Sequence, residues 1–252
     1  MVSGDLQIWL NHFEYHAEHP RRVLHGGRDV LWPHERRRIA SSIATLQLGE
    51  ESAGRRLERA AQRCAHENRI ALLARILELL AREEQRHAQL LETFMADHRI
   101  PIKRAGWTDW VFRRVRGRAG LELYLYVLTS AELIGIVCYR ALESVTGCRR
   151  LQLLCRTLVA DELAHVGFES QLLVTLRVGR AAPIRALIRW AHWVFFASTA
   201  LVVWLTHRAA LRHARYSGRS FVRACLAQYA FYLGPASAAL ASIPLARPTP
   251  TK

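Results

Sequence analysis

The sequence predicts an all-α protein: a four-helix bundle with one crossover connection, extended by apolar C-terminal helices. Three observations lead there. Leu, Ala and Arg dominate the 252 residues, and all three are good helix formers. Fourteen glycines and eight prolines are too few for an all-β chain, which needs a turn about every ten residues. The strongest helix breakers then divide the chain so that two pairs of long helical stretches flank one long connection.

Residues 1–32 read as an N-terminal arm, with a short helical stretch followed by a break from Pro20 to Gly27. Trp32-Pro33-His34-Glu35 opens the first bundle helix, with proline in the first turn where its missing N–H is not needed. That helix runs to Ala65; Gly49 and Gly54 each weaken it by about 1 kcal/mol relative to alanine. A turn near His66-Glu67-Asn68 leads into the second helix, which runs to about His98 and ends at Ile100-Pro101. The stretch to Gly120, with Trp107, Trp110, Gly117 and a basic run, is long for a turn and supplies the crossover. The third helix spans about 121–145, Thr146-Gly147 closes it, and the fourth covers about 149–178 before Gly179 and Pro183. The bundle thus occupies 33–180.

Beyond it, one apolar helix is expected to run to about Tyr216 and another from Phe221 to Leu233. Residues 181–243 are expected to pack on the bundle, and the Pro/Thr-rich tail 244–252 to be disordered. Trp190 to Thr206 is a run of 17 residues without Asp, Glu, Lys or Arg. A membrane span needs about 20 such residues, and His192, Ser198 and Thr199 interrupt this run. A packed helix is the expected reading, with an interfacial contact or a span as the alternatives.

An apolar fraction of 51% excludes a disordered chain, and the length suits one domain with a large core. The formal charge is +15, nearly all of it from Arg, since Lys occurs only at Lys103 and Lys252. That charge admits nucleic acid, anionic headgroups or an acidic carrier protein as partners. A GC-rich genome yields the same Arg bias without any function. Five cysteines without a C-x-x-C pair argue against a disulfide framework or a zinc knuckle. Residues 1–11 lack the basic and apolar regions of a secretory signal, so a cytoplasmic setting is expected, or a peripheral one on the inner membrane surface.

The chemistry lies where charged residues interrupt apolar seams. Read at alternating steps of three and four, the second helix gives Ile70, Leu73, Leu77, Leu80, Glu84, His87, Leu91 and Phe94. The fourth gives Leu151, Cys155, Leu158, Glu162, His165, Glu169 and Leu172. Each seam carries Glu-x-x-His, two ionisable residues stacked on one face. The third helix has one carboxylate on its seam, Glu132, and the first has one, Glu50. Glu50 precedes Glu84 by 34 residues and Glu132 precedes Glu162 by 30, so each hairpin brings its pair to one level. One Glu plus one Glu-x-x-His per hairpin is the ligand set of a carboxylate-bridged dimetal centre. Four buried carboxylates alone would repel one another; two dications neutralise them, and neutral imidazoles complete the coordination. Oxygen-rich ligands with one imidazole per metal suit iron or manganese. The competing explanations are surface glutamates on misread seams, or polar groups satisfied by one another.

With those residues in view, the sequence resembles the ferritin-like di-iron carboxylate superfamily over roughly residues 34–178. Leu48-Gly49-Glu50-Glu51-Ser52-Ala53 is similar to its first-helix Glu-x-x-Ala pattern. Glu51 is the rival to Glu50, but its helical neighbours Gln47, Gly54 and Glu58 are not apolar. Glu83-Glu84-Gln85-Arg86-His87 and Asp161-Glu162-Leu163-Ala164-His165 are similar to the motifs of soluble stearoyl-carrier desaturases and bacterial multicomponent monooxygenases. The resemblance implies metal ligands at Glu50, Glu84, His87, Glu132, Glu162 and His165. It implies iron in both positions, with iron–manganese or manganese pairs as alternatives. The implied function is an oxidase or oxygenase that uses O2 on an apolar or carrier-bound organic substrate. Electrons would come from an external reductase or ferredoxin, an acidic carrier protein is a possible partner, and the chain would form a small homo-oligomer. The alternatives are ferritin- or rubrerythrin-like iron or peroxide handling, and a basic helical protein that binds RNA or a membrane.

Metal-bound histidines usually donate their other N–H to a carboxylate. Glu83 and Asp161 each precede a seam Glu and lie about 100° round the helix from it, facing a neighbouring helix. The expected pairing crosses over, His87 with Asp161 and His165 with Glu83; the alternative for both acids is ion pairing with Arg82, Arg86 or Arg156. Among weaker signals, His12, His16 and His19 read as a solvated helix face and Tyr139 as core. Glu143 sits about 16 Å along the helix from Glu132 by the ~1.5 Å rise. Glu169, one turn past His165, is expected to lie outside the site, with a place beside it or at its lip as the alternative. Gly49 and Gly135 leave room for oxygen or substrate, or simply permit close helix packing.

Overall fold

A computed structural model describes residues 3–21, 30–66, 71–104 and 121–234. Among them are seven helices and no strand: α1 (Ser3–Glu18), α2 (Pro33–His66), α3 (Ala71–Asp97), α4 (Leu121–Ser144), α5 (Arg149–Leu176), α6 (Ala182–His213) and α7 (Gly218–Leu233). The tail 244–252, Glu67-Asn68 of the first turn, residues 22–27 of the expected break, and Trp107, Trp110 and Gly117 lie outside the described residues.

Local chemistry sets the helix ends. The Trp32 N–H donates to Glu35 Oε2 at 2.8 Å, which satisfies a donor at the start of α2. After α3, Arg99 takes φ 53° while the Ile100 N–H reaches back to Met95 O at 2.9 Å. That is a left-handed C-terminal cap, and the helix ends at Asp97, ahead of Pro101. The last turn of α5 tightens, with Arg177 and Val178 bonding to carbonyls three residues back, and the helix ends at Leu176 rather than at 178. Ser217 and Ser220 form a reciprocal capping box at the start of α7.

Two hairpins, α2/α3 and α4/α5, meet along α3 with α5 and α2 with α4. Glu35 at the start of α2 also accepts from the Gly147 N–H just past α4, at 2.6 Å. Arg150 at the start of α5 binds Asp97 at the end of α3. The end of α3 and the end of α4 therefore lie at the same end of the bundle. The start of α4 therefore lies at the end of the bundle opposite to the end of α3. Lys103 marks the start of the connection to α4: its Nζ reaches Ser41 O at 3.1 Å and Thr45 Oγ1 at 2.7 Å, up the side of α2.

The core falls into two apolar clusters. One holds Leu57, Leu77, Leu80, Leu125 and Phe168; the other Ile43, Leu91, Phe94, Leu151 and Leu158. Along α2, α3 and α5 the sequence passes from one cluster to the other through Glu50, through Glu84 and His87, and through Glu162 and His165. A charged layer separates two dry ends.

Two further helices cover this layer. Trp9 and Phe13 of α1 pack on Phe168 of α5, with ring centroids 5.7 and 5.8 Å away, and the Trp9 N–H donates to Gln171 at 2.8 Å. Helix α6 buries Phe196, Thr199, Ala200, His207, Ala210 and Leu211, and contacts α2, α4 and α7. Its opposite side exposes Ile184, Leu187, Trp190, Trp193, Leu201 and Leu205. By length and composition α4 and α6 could each cross a membrane, but the apolar window of α4 is 72% buried against 17% for α6. Helix α4 is core, and the packing of α6 is one-sided.

Candidate metal centre

The six seam residues converge. Glu84 and His87 lie one turn apart on α3, Glu162 and His165 on α5, and α2 and α4 add Glu50 and Glu132. Both histidines are fully buried, and Glu84, Glu162, Glu132 and Glu50 are 1, 2, 6 and 9% exposed. These are not surface glutamates on misread seams. Their ligand atoms form two groups, each with all atoms within 4.8 Å: Glu50, Glu84, His87 and Glu162, then Glu84, Glu132, Glu162 and His165. Glu84 and Glu162 belong to both. His87 Nδ1 is 3.3 Å from Glu162 Oε1 and 4.0 Å from Glu50 Oε2; His165 Nδ1 is 3.0 Å from Glu84 Oε1 and 3.6 Å from Glu162 Oε2.

Nor do these polar groups satisfy one another. His87 Nδ1, His165 Nδ1, Glu84 Oε1, Glu162 Oε2 and both oxygens of Glu132 are buried without a hydrogen-bond partner. Buried polar atoms left unmade cost about 1–3 kcal/mol each, more when charged, so such a cluster has to be explained. Bound metal ions would explain it: the orphaned atoms are lone-pair donors, and within each group the ligand atoms lie close together. Without cations, protons take that place. Burial, then the charges of Glu84 and Glu162, raise the Glu50 carboxyl well above its usual range. Burial, then Glu169 and Glu162, do the same to Glu132. Burial opposes the charge on His87, but the Asp161 carboxylate at its Nε2 and the Glu162 carboxylate close to its Nδ1 push its imidazole up to about 10. His165 is raised likewise against its burial by Glu162, Glu83 and Glu84. Burial also opposes the charge on Glu162, yet the two histidines hold it down to about 2.

The outer nitrogens of both histidines cross over. His87 Nε2 is 3.2 Å from Asp161 Oδ2, and His165 Nε2 is 3.1 Å from Glu83 Oε2. Arginines bind the same acids: Arg86 Nη2 donates to Asp161 Oδ2 at 2.7 Å and to Glu83 Oε1 at 3.2 Å, and Arg21 Nε lies 2.7 Å from Asp161 Oδ1. Ion pairing and histidine contact, posed as alternatives by the sequence, coexist. His16, Glu83 and Asp161 form a third grouping of ligand type, but its two acids already hold histidine and arginine. His12 and His16 are half-buried rather than solvated, and only His19 is exposed. The His12 and His16 rings lie 4.4 Å apart, and burial, then His16, pushes the His12 imidazole down to about 4.

Other candidates separate clearly. Glu51 pairs with Arg55 and Glu143 with Arg156, both on the outside. Glu169 is fully buried beside Glu132, not at a lip; Thr129 donates to its Oε2 at 2.8 Å, and burial pushes its carboxyl up to about 8. Tyr139 is core, yet its hydroxyl also donates to Glu50 Oε1. Gly49 does not serve helix packing, since a Cβ there would meet nothing within 4 Å; at Gly135 the nearest atom would be Tyr139 Cε2 at 3.9 Å. Both border a cavity of about 150 Å³ that Glu50, Glu84, Glu132 and Glu162 also line. Its far wall is α6, through Thr199, Val203, Thr206 and His207. Nothing on the bundle seams marks those four. Of the four, only Thr199 stood out in the sequence, as a polar interruption of an otherwise apolar helix.

No protein-family model, curated protein or solved structure matches the chain.

Proposed function

We propose that the protein is a dimetal carboxylate oxidase or oxygenase built on a ferritin-like bundle, acting on an organic substrate with dioxygen. One observation carries this reading: two four-residue groups of buried lone-pair donors share Glu84 and Glu162, and every member but Glu50 keeps an atom without a hydrogen-bond partner. Glu50, Glu84, His87 and Glu162 would hold one ion and Glu84, Glu132, Glu162 and His165 the other. Their oxygen-rich composition favours iron, with manganese as the alternative. Two such ions supply the redox chemistry that dioxygen activation requires, with electrons from a separate reductase or ferredoxin. The chain's own residues prepare the site. Asp161 and Glu83 fix the histidine rings through their outer nitrogens, which leaves the two Nδ1 atoms facing the carboxylates. Tyr139 holds Glu50 in place. The apolar clusters on either side exclude water from the layer. The adjoining cavity favours substrate oxidation over iron storage, which needs no apolar pocket beside the ions.

Anaerobic loading with Fe(II), followed by metal analysis, tests this. Two ions per chain are expected in the wild type, one in Glu50→Ala and none held tightly in Glu162→Ala, because Glu162 serves both groups. The reduced wild type should consume dioxygen and Glu162→Ala should not. A Glu162→Ala protein that binds two ions and consumes oxygen at the wild-type rate overturns the proposal.

A further inference from the structure

Helix α6 gives one side to the bundle and leaves the other to solvent. Leu187, Trp190, Val194, Leu201 and Leu205 follow one another at steps of three, four and seven residues, so they share one face. All five are exposed, by 38 to 65%. The stripe runs about 27 Å at the ~1.5 Å rise per residue. Arg208 and Arg212 continue the same face at its far end; Arg185 and Arg189 stand at its start, and Trp193, one turn on from Arg189, is 47% exposed. An exposed apolar stripe of this length marks a contact surface.

Charge selects the partner. From residue 170 onward the sequence has no Asp or Glu but ten Arg and one Lys, +11 of the formal +15. Glu122 holds Arg177 and Arg180, but among the described residues no carboxylate pairs with Arg185, Arg189, Arg208 or Arg212. Arg215, Arg219 and Arg223, at the turn into α7 and beyond it, are exposed as well. A second copy laid along the stripe, parallel or antiparallel, would set arginine against arginine at both ends with no acid between them. RNA would take the arginines but leave the Leu and Val side chains bare. Nor can α6 cross a membrane without leaving the bundle, because Phe196, Ala200, His207 and Leu211 of the same stretch are buried.

We propose that α6 docks the protein on an anionic lipid bilayer, lying in the plane of its surface. The apolar stripe would enter the boundary between headgroups and acyl chains, where tryptophan rings such as Trp190 and Trp193 are favoured. The arginine side chains at both ends would lay their stems along that boundary and place their guanidinium groups at the lipid phosphates. The inference does not depend on the metal centre, and no readout of its test does.

Sedimentation of the full chain with vesicles tests this, using phosphatidylcholine alone and an equimolar mixture of phosphatidylcholine and phosphatidylglycerol. The wild type should bind the anionic vesicles about tenfold or more tightly than the neutral ones, and added salt should shrink that advantage. The double variant Arg208→Gln/Arg212→Gln should lose about tenfold on anionic vesicles. Leu201→Ser/Leu205→Ser should lose about tenfold on them as well, since each leucine forfeits apolar burial in the lipid. All four positions are exposed, so the urea midpoints should stay at the wild-type value. If a variant does not fold, the wild type alone decides: lipids brominated on their acyl chains should quench its tryptophan emission. Equal affinity for the two vesicle types, full affinity in Leu201→Ser/Leu205→Ser, or unquenched emission overturns the proposal. So does a dimer in lipid-free solution that Leu201→Ser/Leu205→Ser splits, which would assign the stripe to a second copy. Binding to an oligouridylate but to neither vesicle overturns it too, and would assign the arginines to RNA.

Discussion

Removing the Asp161 side chain separates a metal-supporting role from a merely structural one. Asp161 is 1% exposed and engages Arg86 at 2.7 Å, Arg21 at 2.7 Å and His87 at 3.2 Å. A buried hydrogen bond to a charged partner contributes about 1.5–3 kcal/mol. The Arg21 and Arg86 side chains, however, are 45% and 24% exposed, so water replaces much of what they lose. The loss of folding stability in Asp161→Ala should therefore come to about 2–4 kcal/mol rather than the full sum. The His87 contact acts on a different quantity. Freed of its acceptor, the ring loses its fixed orientation, and metal affinity should fall about 10–100-fold. Arg21→Ala is the control, since it removes one ion pair and leaves the His87 contact in place: stability should drop by about 1 kcal/mol or less, with metal affinity unchanged. Urea unfolding of the metal-free proteins measures the first quantity, and anaerobic Mn(II) titration against a chelating indicator measures the second. An Asp161→Ala protein that is less stable but binds metal as tightly as the wild type would refute the argument, reducing Asp161 to an arginine counter-ion.

Two further predictions concern stability. Gly49→Ala should raise it by about 0.5–1 kcal/mol, because a Cβ there meets nothing within 4 Å and alanine is the better helix former. Gly54→Ala should lower it by about 1 kcal/mol or more, because its Cβ would sit 2.9 Å from Gln85 Cγ and 3.1 Å from Ala81 O, prising α2 from α3; urea midpoints that shift with the same sign would be inconsistent with this packing. His207 should make the fold acid-sensitive. Its ordinary value is 6.5 and burial lowers the folded-state value to about 4, so the unfolded chain takes up a proton that the folded chain refuses. The stability present above pH 6.5 is lost as pH falls between those two values, by up to about 3 kcal/mol. The urea midpoint of His207→Leu should fall less steeply over that window, and superimposable wild-type and variant curves would exclude the effect.

The sequence by itself determined the helices and the charged layer, for local reasons. Helix ends follow from breakers and caps such as Pro33 and Ile100-Pro101, which act within a few residues. The carboxylates and histidines were legible because a charge in an apolar seam is costly, and 3.6-residue periodicity shows which charges fall there. The same periodicity, at 100° per residue, pointed Asp161 and Glu83 at the neighbouring helix. Tertiary structure alone decided what depends on residues remote in the chain. Gly49 and Gly54 look alike in sequence, and only the approach of Ala81 and Gln85 makes one of them a packing requirement. Tyr139 is an ordinary core aromatic until Glu50, 89 residues away, meets its hydroxyl. Glu169 became part of the buried layer, and His12 and His16 left the solvent, because of the helices that settled against them. His207 needed the most. Its helix continues no seam of the bundle, so its place on the cavity wall follows from how α6 docks along α2 and α4, which no spacing within the chain encodes.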